Sequence, residues 1–198
     1  MAGKTPLIHP LIVRVTHWIN AFAILLMVMS GWRIYNAAPF FPFRFPPEIT
    51  LGGWLAGALQ WHFAAMWLFA GNLLIYLAFG IFSGRFRMKL FPVTPRAILT
   101  DIGAFFRGKL GHADLSMYNA VQKIFYIVAI LAMIVLIASG IAIWKPVQMQ
   151  EIASLMGGYE GARRVHFFAM ATVVGFVAVH VVMALLVPKS LLAMVRGR

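Results

Sequence analysis

Six histidines, at positions 9, 17, 62, 112, 166 and 180, and no cysteine set the chemistry open to this chain. Without thiols there are no disulfides, no thiolate-held iron–sulfur clusters, no c-type haem attachment and no Cys-ligated zinc. Any redox or metal centre must therefore be held by other donors, and imidazole is the strongest one left. His166 and His180 stand 14 residues apart. At 100° per residue both leave nearly the same face of a helix, separated by roughly 21 Å along its axis. One helix can thus serve two sites at two depths.

The elements that must position these side chains belong to a membrane protein. Of 198 residues, 62% are hydrophobic and 11% charged, far from the usual balance of a soluble globular domain. Apolar runs delimit four spans, 11–35, 54–82, 121–144 and 165–187. Each is long enough to cross a hydrocarbon core of about 30 Å as a helix. The expected fold is all-α, an integral membrane four-helix bundle formed by a single domain, 1–198. The first apolar stretch lacks a small-residue cleavage pattern after it, so it is read as a span rather than a signal peptide. Pro39, Pro42, Pro46 and Pro47 among phenylalanines predict an aromatic loop at the interface between the first two spans. In the long connection between spans two and three, Thr94 and Pro95 start a helix. Ile98, Leu99, Ile102, Phe105 and Phe106 give that helix one apolar face, so it is expected to lie on the membrane surface. A second, shorter connection, 145–162, joins spans three and four.

The net charge of +12 would suggest nucleic acid in a soluble domain. Here it reports orientation. Placing both termini and the long loop on one side collects 12 of the 17 Lys and Arg there, leaving Arg33, Arg44, Lys145, Arg163 and Arg164 opposite. The positive-inside rule then puts the N-terminus and C-terminus in the cytoplasm of a multi-pass membrane protein. No nucleic-acid partner is needed.

This topology pairs the histidines. Span one runs outward and carries His17 near its inner end; span two runs inward and carries His62 near its outer end. Span four runs inward, with His166 outside and His180 inside. The pairs are His62 with His166 and His17 with His180. Ionisable residues inside a membrane are costly and by default functional, and two facing imidazole pairs in an apolar bundle are what two bis-His haem b groups require. His17, His62, His166 and His180 are accordingly the expected iron ligands. Gly31 and Gly140, at the outer level of spans one and three, are candidates for clearance beside a macrocycle, as well as for ordinary small-residue helix packing. Arg14 and Lys189 inside, and Arg33, Arg44, Arg163 and Arg164 outside, are candidates for meeting haem propionates, against the alternative that each simply snorkels to the interface. His9 and His112 lie in cytoplasmic segments without such partners and are expected to be solvated or proton-handling.

Arg14-Val-Thr-His17-Trp18, Ser30-Gly31, His62, Tyr118-Asn119-Ala-Val-Gln122-Lys123, His166 and His180 together resemble the bacterial cytochrome b561 family. That grouping includes the cytochrome b subunits of nickel–iron hydrogenases, formate dehydrogenases and thiosulfate reductase-like enzymes. The resemblance runs from about residue 8 to residue 187. It implies two b haems on the same four histidines, with electrons passing between a periplasmic redox partner and the membrane quinone pool of a respiratory chain. It makes Asn119 and Gln122 candidates for hydrogen bonding a quinone, against the alternative that they cap span three. The implied partner is a periplasmic oxidoreductase subunit, such as a molybdopterin enzyme or a hydrogenase, or another periplasmic redox protein.

The expected function is transmembrane electron transfer as the membrane subunit of an oxidoreductase complex, with lipid and quinone as further partners. A stand-alone quinone-linked oxidoreductase acting on a small oxidant such as superoxide is a second reading. A transporter binding metal ions or relaying protons through its histidines is a rival from another class. It would gather histidines at one depth beside carboxylates.

Overall fold

In a computed structural model, residues 8–107 and 118–197 are described. Their regular elements are all helices, with no strand among the described residues. Backbone contacts divide the chain into two compact units, residues 1–80 with 194–198, and residues 81–193.

The first unit is built on α1 (Leu11–Ala37) and α2 (Leu55–Phe82), joined by a loop with a single 3-10 turn at Pro47–Ile49. Both helices are long and apolar enough to cross a membrane. They run antiparallel: Asn72 donates from Nδ2 to the Thr16 carbonyl at 2.7 Å, while Ser30 meets His62 at 2.9 Å. Small side chains, Ala23, Ala58 and Ala65, are buried, as expected where membrane helices approach by packing rather than by hydrophobic drive. Large apolar side chains such as Phe22, Leu25, Trp67, Leu74 and Ile75 stay exposed, a surface suited to lipid. The proline-rich loop is an aromatic cluster, as its composition predicts. Trp32 stacks on Phe45 at 4.6 Å, and Tyr35 meets Phe40, Phe43 and Phe45. Asn36 pins this loop by donating to the Phe45 carbonyl and accepting from its N–H.

The second unit contains α3 (Arg85–Leu90), α4 (Pro95–Phe106), α5 (Ala120–Trp144), α6 (Gln150–Leu155), α7 (Gly158–Leu186) and most of α8 (Pro188–Arg196). Helices α5 and α7 are the other two of membrane-crossing length and hydropathy. They too are antiparallel, with Ser139 beside His166 and Tyr126 beside Phe176. Buried alanines again line the approach: Ala129, Ala132 and Ala142 on α5, Ala162 and Ala169 on α7. Helix α6 closes one end through Ala153, clustered with Ala142 and Ala162.

Helix α4 forms where Thr94 and Pro95 predict it, Thr94 Oγ1 accepting from the Ala97 N–H, and it leaves Leu99 and Ile102 exposed. Helix α7 begins seven residues before the expected 165, and the supposed connection 145–162 is largely α6 and the start of α7. Left-handed Gly157 and Gly158 turn the chain into α7. Its polar first turns are held by the Arg163–Glu160 ion pair at 3.0 Å, and a search for apolar runs cannot see them. Helix α8, amphipathic and only nine residues long, escaped the sequence reading for the same reason. Of the two readings of His9, solvated or proton-handling, the first fails: the residue is buried, where the Ile8 and His9 N–H groups both meet the Gly197 carbonyl. His112 lies outside the described residues.

Candidate functional site

Each unit presents two histidines at two heights. In the first, His17 lies one residue beyond the Thr16–Asn72 bridge, and His62 lies opposite Ser30. The 13 residues from His17 to Ser30 correspond to roughly 20 Å along α1. In the second, His166 and His180 on α7 are separated by roughly 21 Å on the same basis. The two-level spacing expected from the sequence is thus present within each hairpin by itself.

The upper histidines are held alike in the two units. His62 Nδ1 lies 2.9 Å from Ser30 Oγ, and His166 Nδ1 lies 2.9 Å from Ser139 Oγ. Both serines are fully buried. Each is followed by a glycine that faces the same ring. A Cβ on Gly31 would stand 3.4 Å from His62 Cε1, and one on Gly140 would stand 3.3 Å from His166 Cε1. The space beside each glycine is faced by an imidazole, whereas the sequence offers clearance for a macrocycle or ordinary helix packing at these two positions.

The lower histidines have aromatic neighbours. His17 meets Trp18 edge-on at 5.2 Å, and His180 stacks on Phe176 at 5.5 Å with the planes 11° apart. Phe176 continues to Tyr126 and Tyr126 to Tyr118, with ring centroids 6.1 and 4.9 Å apart. This chain of rings ends at the start of α5. Burial pushes the Tyr118 phenol above its ordinary range, against the charge and hydrogen bond of Arg85.

Asn119 and Gln122 form a reciprocal cap at that point. Asn119 Oδ1 accepts from the Gln122 N–H at 2.7 Å, and Gln122 Oε1 accepts from the Asn119 N–H at 3.1 Å. The Ala120 N–H donates to Asp101 Oδ2 at 2.6 Å, which ties α4 to the start of α5. The capping alternative is realised. It uses the amide oxygens and leaves the carboxamide N–H₂ groups as the donors that could serve a ligand.

Among the cations, Arg33 donates to the Gly53 carbonyl and Arg163 pairs with Glu160, so both have structural work. Arg33 also lines, with Asn36, Arg44, Phe45 and Trp54, a cleft of about 440 Å³ beside the aromatic loop. Two buried donors on α1, Arg14 Nε and Trp32 Nε1, have no hydrogen-bond partner among the described residues. Buried donors are rarely left so. Arg14 lies three residues before His17, and Trp32 two residues after Ser30. Imidazoles at two heights, with an unsatisfied donor near each height, form a set that fits a haem with acidic side groups. Among the described residues no three His, Asp or Glu side chains come together as a metal-binding group.

A family model described as prokaryotic cytochrome b561 matches residues 8–197. The chain is 60% identical, over the full length of both proteins, to the candidate protein-methionine-sulfoxide reductase subunit YedZ1 of Azospira oryzae. It is 26% identical to the cytochrome b556(fdo) subunit of formate dehydrogenase of Escherichia coli K12, over 93% of this chain and 81% of that protein. Both relatives are subunits of oxidoreductases. The chain therefore belongs to the prokaryotic cytochrome b561 family, as a multi-pass membrane electron-transfer protein of the kind that binds haem b.

Proposed function

We propose that the chain acts as one membrane cytochrome domain, 1–198, that carries electrons from the quinone pool across the bacterial inner membrane to a periplasmic reductase. In this reading His62 and His166 hold an outer haem b and His17 and His180 an inner one. Both termini are cytoplasmic. The observation that carries the assignment is the doubled arrangement. Two antiparallel hairpins each bear two histidines at heights about 20 Å apart, and each upper histidine rests on a Ser-Gly pair of the neighbouring helix.

When bound, the haems supply reversible one-electron Fe(III)/Fe(II) chemistry. The chain contributes the rest. It presents neutral imidazoles on rigid helices and keeps water from them with apolar side chains. It also offers Arg14 Nε and Trp32 Nε1 to carboxylates that would otherwise be buried unpaired. The name of the 60%-identical relative supports methionine sulfoxide in proteins as the final acceptor. That reduction takes two electrons and two protons, breaks the S–O bond and releases methionine and water. A quinol oxidised to quinone supplies the same two electrons, its protons leaving on the side where it binds.

A dithionite-reduced minus oxidised spectrum of the purified chain, with haem extraction, tests the assignment. Two b haems per chain are expected; their absence, or a single one, refutes it. The quinone end is tested at Asn119. Aspartate caps a helix as well as asparagine does but lacks the N–H₂ donor. Asn119→Asp should therefore retain both haems and thermal stability while quinol oxidation slows. Asn119→Ala should in addition lose about 1 kcal/mol of stability. Unchanged quinol kinetics in Asn119→Asp would leave the residue as a cap alone.

A further inference from the structure

We infer that Ser30 and Ser139 are a matched pair of positioning residues that fix the tautomer of the two histidines serving one haem. This rests on the proposed assignment of His62 and His166 to the same iron.

The argument turns on where each serine proton must lie. Ser30 Oγ stands 2.6 Å from the Leu26 carbonyl oxygen, and Ser139 Oγ stands 2.6 Å from the Val135 carbonyl oxygen, each one helical turn back. Two oxygens approach so closely only with a proton between them, and a carbonyl has none to give. The hydroxyl proton is thus committed to the helix in both cases. What remains on Oγ is a pair of acceptor sites, and the group 2.9 Å away is a ring Nδ1. Nδ1 must then carry the hydrogen and donate it to the serine.

A neutral imidazole has one ring proton. With that proton on Nδ1, the lone pair that an iron would take is the one on Nε2. The neighbouring glycine completes the device. Gly31 and Gly140 let each ring lie against the helix that carries its serine, so tautomer and ring orientation are set together. A hydrogen bond accepted from Nδ1–H also raises the donor strength of Nε2, which favours the ferric state and lowers the midpoint potential. The same dipeptide, Ser30-Gly31 on α1 and Ser139-Gly140 on α5, acts on two histidines from two hairpins, so both axial bonds of one haem would be tuned alike.

The test uses the full chain with its haems. The signal of the His62/His166 haem is identified as the one lost in His62→Ala. Potentiometric titration and low-temperature EPR then follow Ser30→Ala and Ser139→Ala. Each variant should keep two haems, raise the midpoint potential of that same haem and shift its low-spin ferric g values, with the other haem unchanged. Ser30→Thr, which retains a hydroxyl able to bond the Leu26 carbonyl, should return the wild-type potential. Unaltered potentials and g values in both alanine variants would overturn the inference, as would shifts in two different haems. If Ser30→Ala loses the haem, recovery in Ser30→Thr supports the inference and continued loss rejects it. A wild-type chain without two b haems would instead reject the ligand assignment, a result read before any serine variant is made.

Discussion

Replacing His62 with alanine should lower the haem content of the purified chain from two to one and stop electron flow between quinol and the periplasmic partner. The expected loss is large because the imidazole is irreplaceable from nearby. Its neighbours on α1 are a serine whose proton is already committed and a glycine with no side chain. Partners that merely orient a metal ligand typically carry about 10–100-fold of affinity or activity, so loss of the ligand itself should exceed that range. His166→Ala should give the same spectrum as His62→Ala, with the same haem absent. His17→Ala and His180→Ala should remove the other one. Haem extraction together with redox-difference spectra of the four variants checks this. If His62→Ala and His166→Ala remove different haems, the pairing is wrong even though all four residues are ligands.

The four spans, the two heights of the histidines and the existence of helix α4 were legible in the sequence because each rests on a strong, local signal. A run of 20 apolar residues has few alternatives, an imidazole within it is costly, and the spacing of His166 and His180 follows from helix geometry alone. The serines were not legible. Ser30-Gly31 was noticed as part of a family pattern, yet a serine in a membrane helix ordinarily satisfies itself on the carbonyl one turn back, as both do here. Whether its remaining acceptor also meets a side chain on the next helix depends on helix rotation, which hydropathy does not report. The repeated Ser-Gly dipeptide at 30–31 and 139–140 was the available clue. Asn119 and Gln122 show the converse. Their spacing alone was consistent with a ligand site or a cap, and only the backbone geometry decided that the oxygens cap. The buried His9 depended on residues at opposite ends of the chain, Ile8 and Gly197, a contact that no local pattern contains.

Gly140→Val should be nearly as damaging as loss of a ligand, although glycine offers no chemistry. The Cβ alone would stand 3.3 Å from His166 Cε1, closer than carbon atoms prefer by several tenths of an ångström. The ring cannot yield freely, since its Nδ1 is held by Ser139 on the adjacent residue of the same helix. Alanine would press the ring aside by a fraction of an ångström. It should keep the haem with a shifted EPR signal and a faster rate of haem loss. Valine adds two methyl groups in a space bounded by α7, and must either break the serine contact or part the helices. It should yield protein with one haem, and with normal membrane insertion because the apolar length of α5 is unchanged. Gly31→Val should do the same through His62, where the corresponding distance is 3.4 Å. Gly71 and Gly175 lie in membrane-crossing helices of the same two units, and a Cβ there would meet nothing within 4 Å. Valine at either position should leave both haems in place, which separates crowding of the imidazole from a general intolerance of bulk in these helices. Equal haem loss at all four glycines would remove the special role of Gly31 and Gly140.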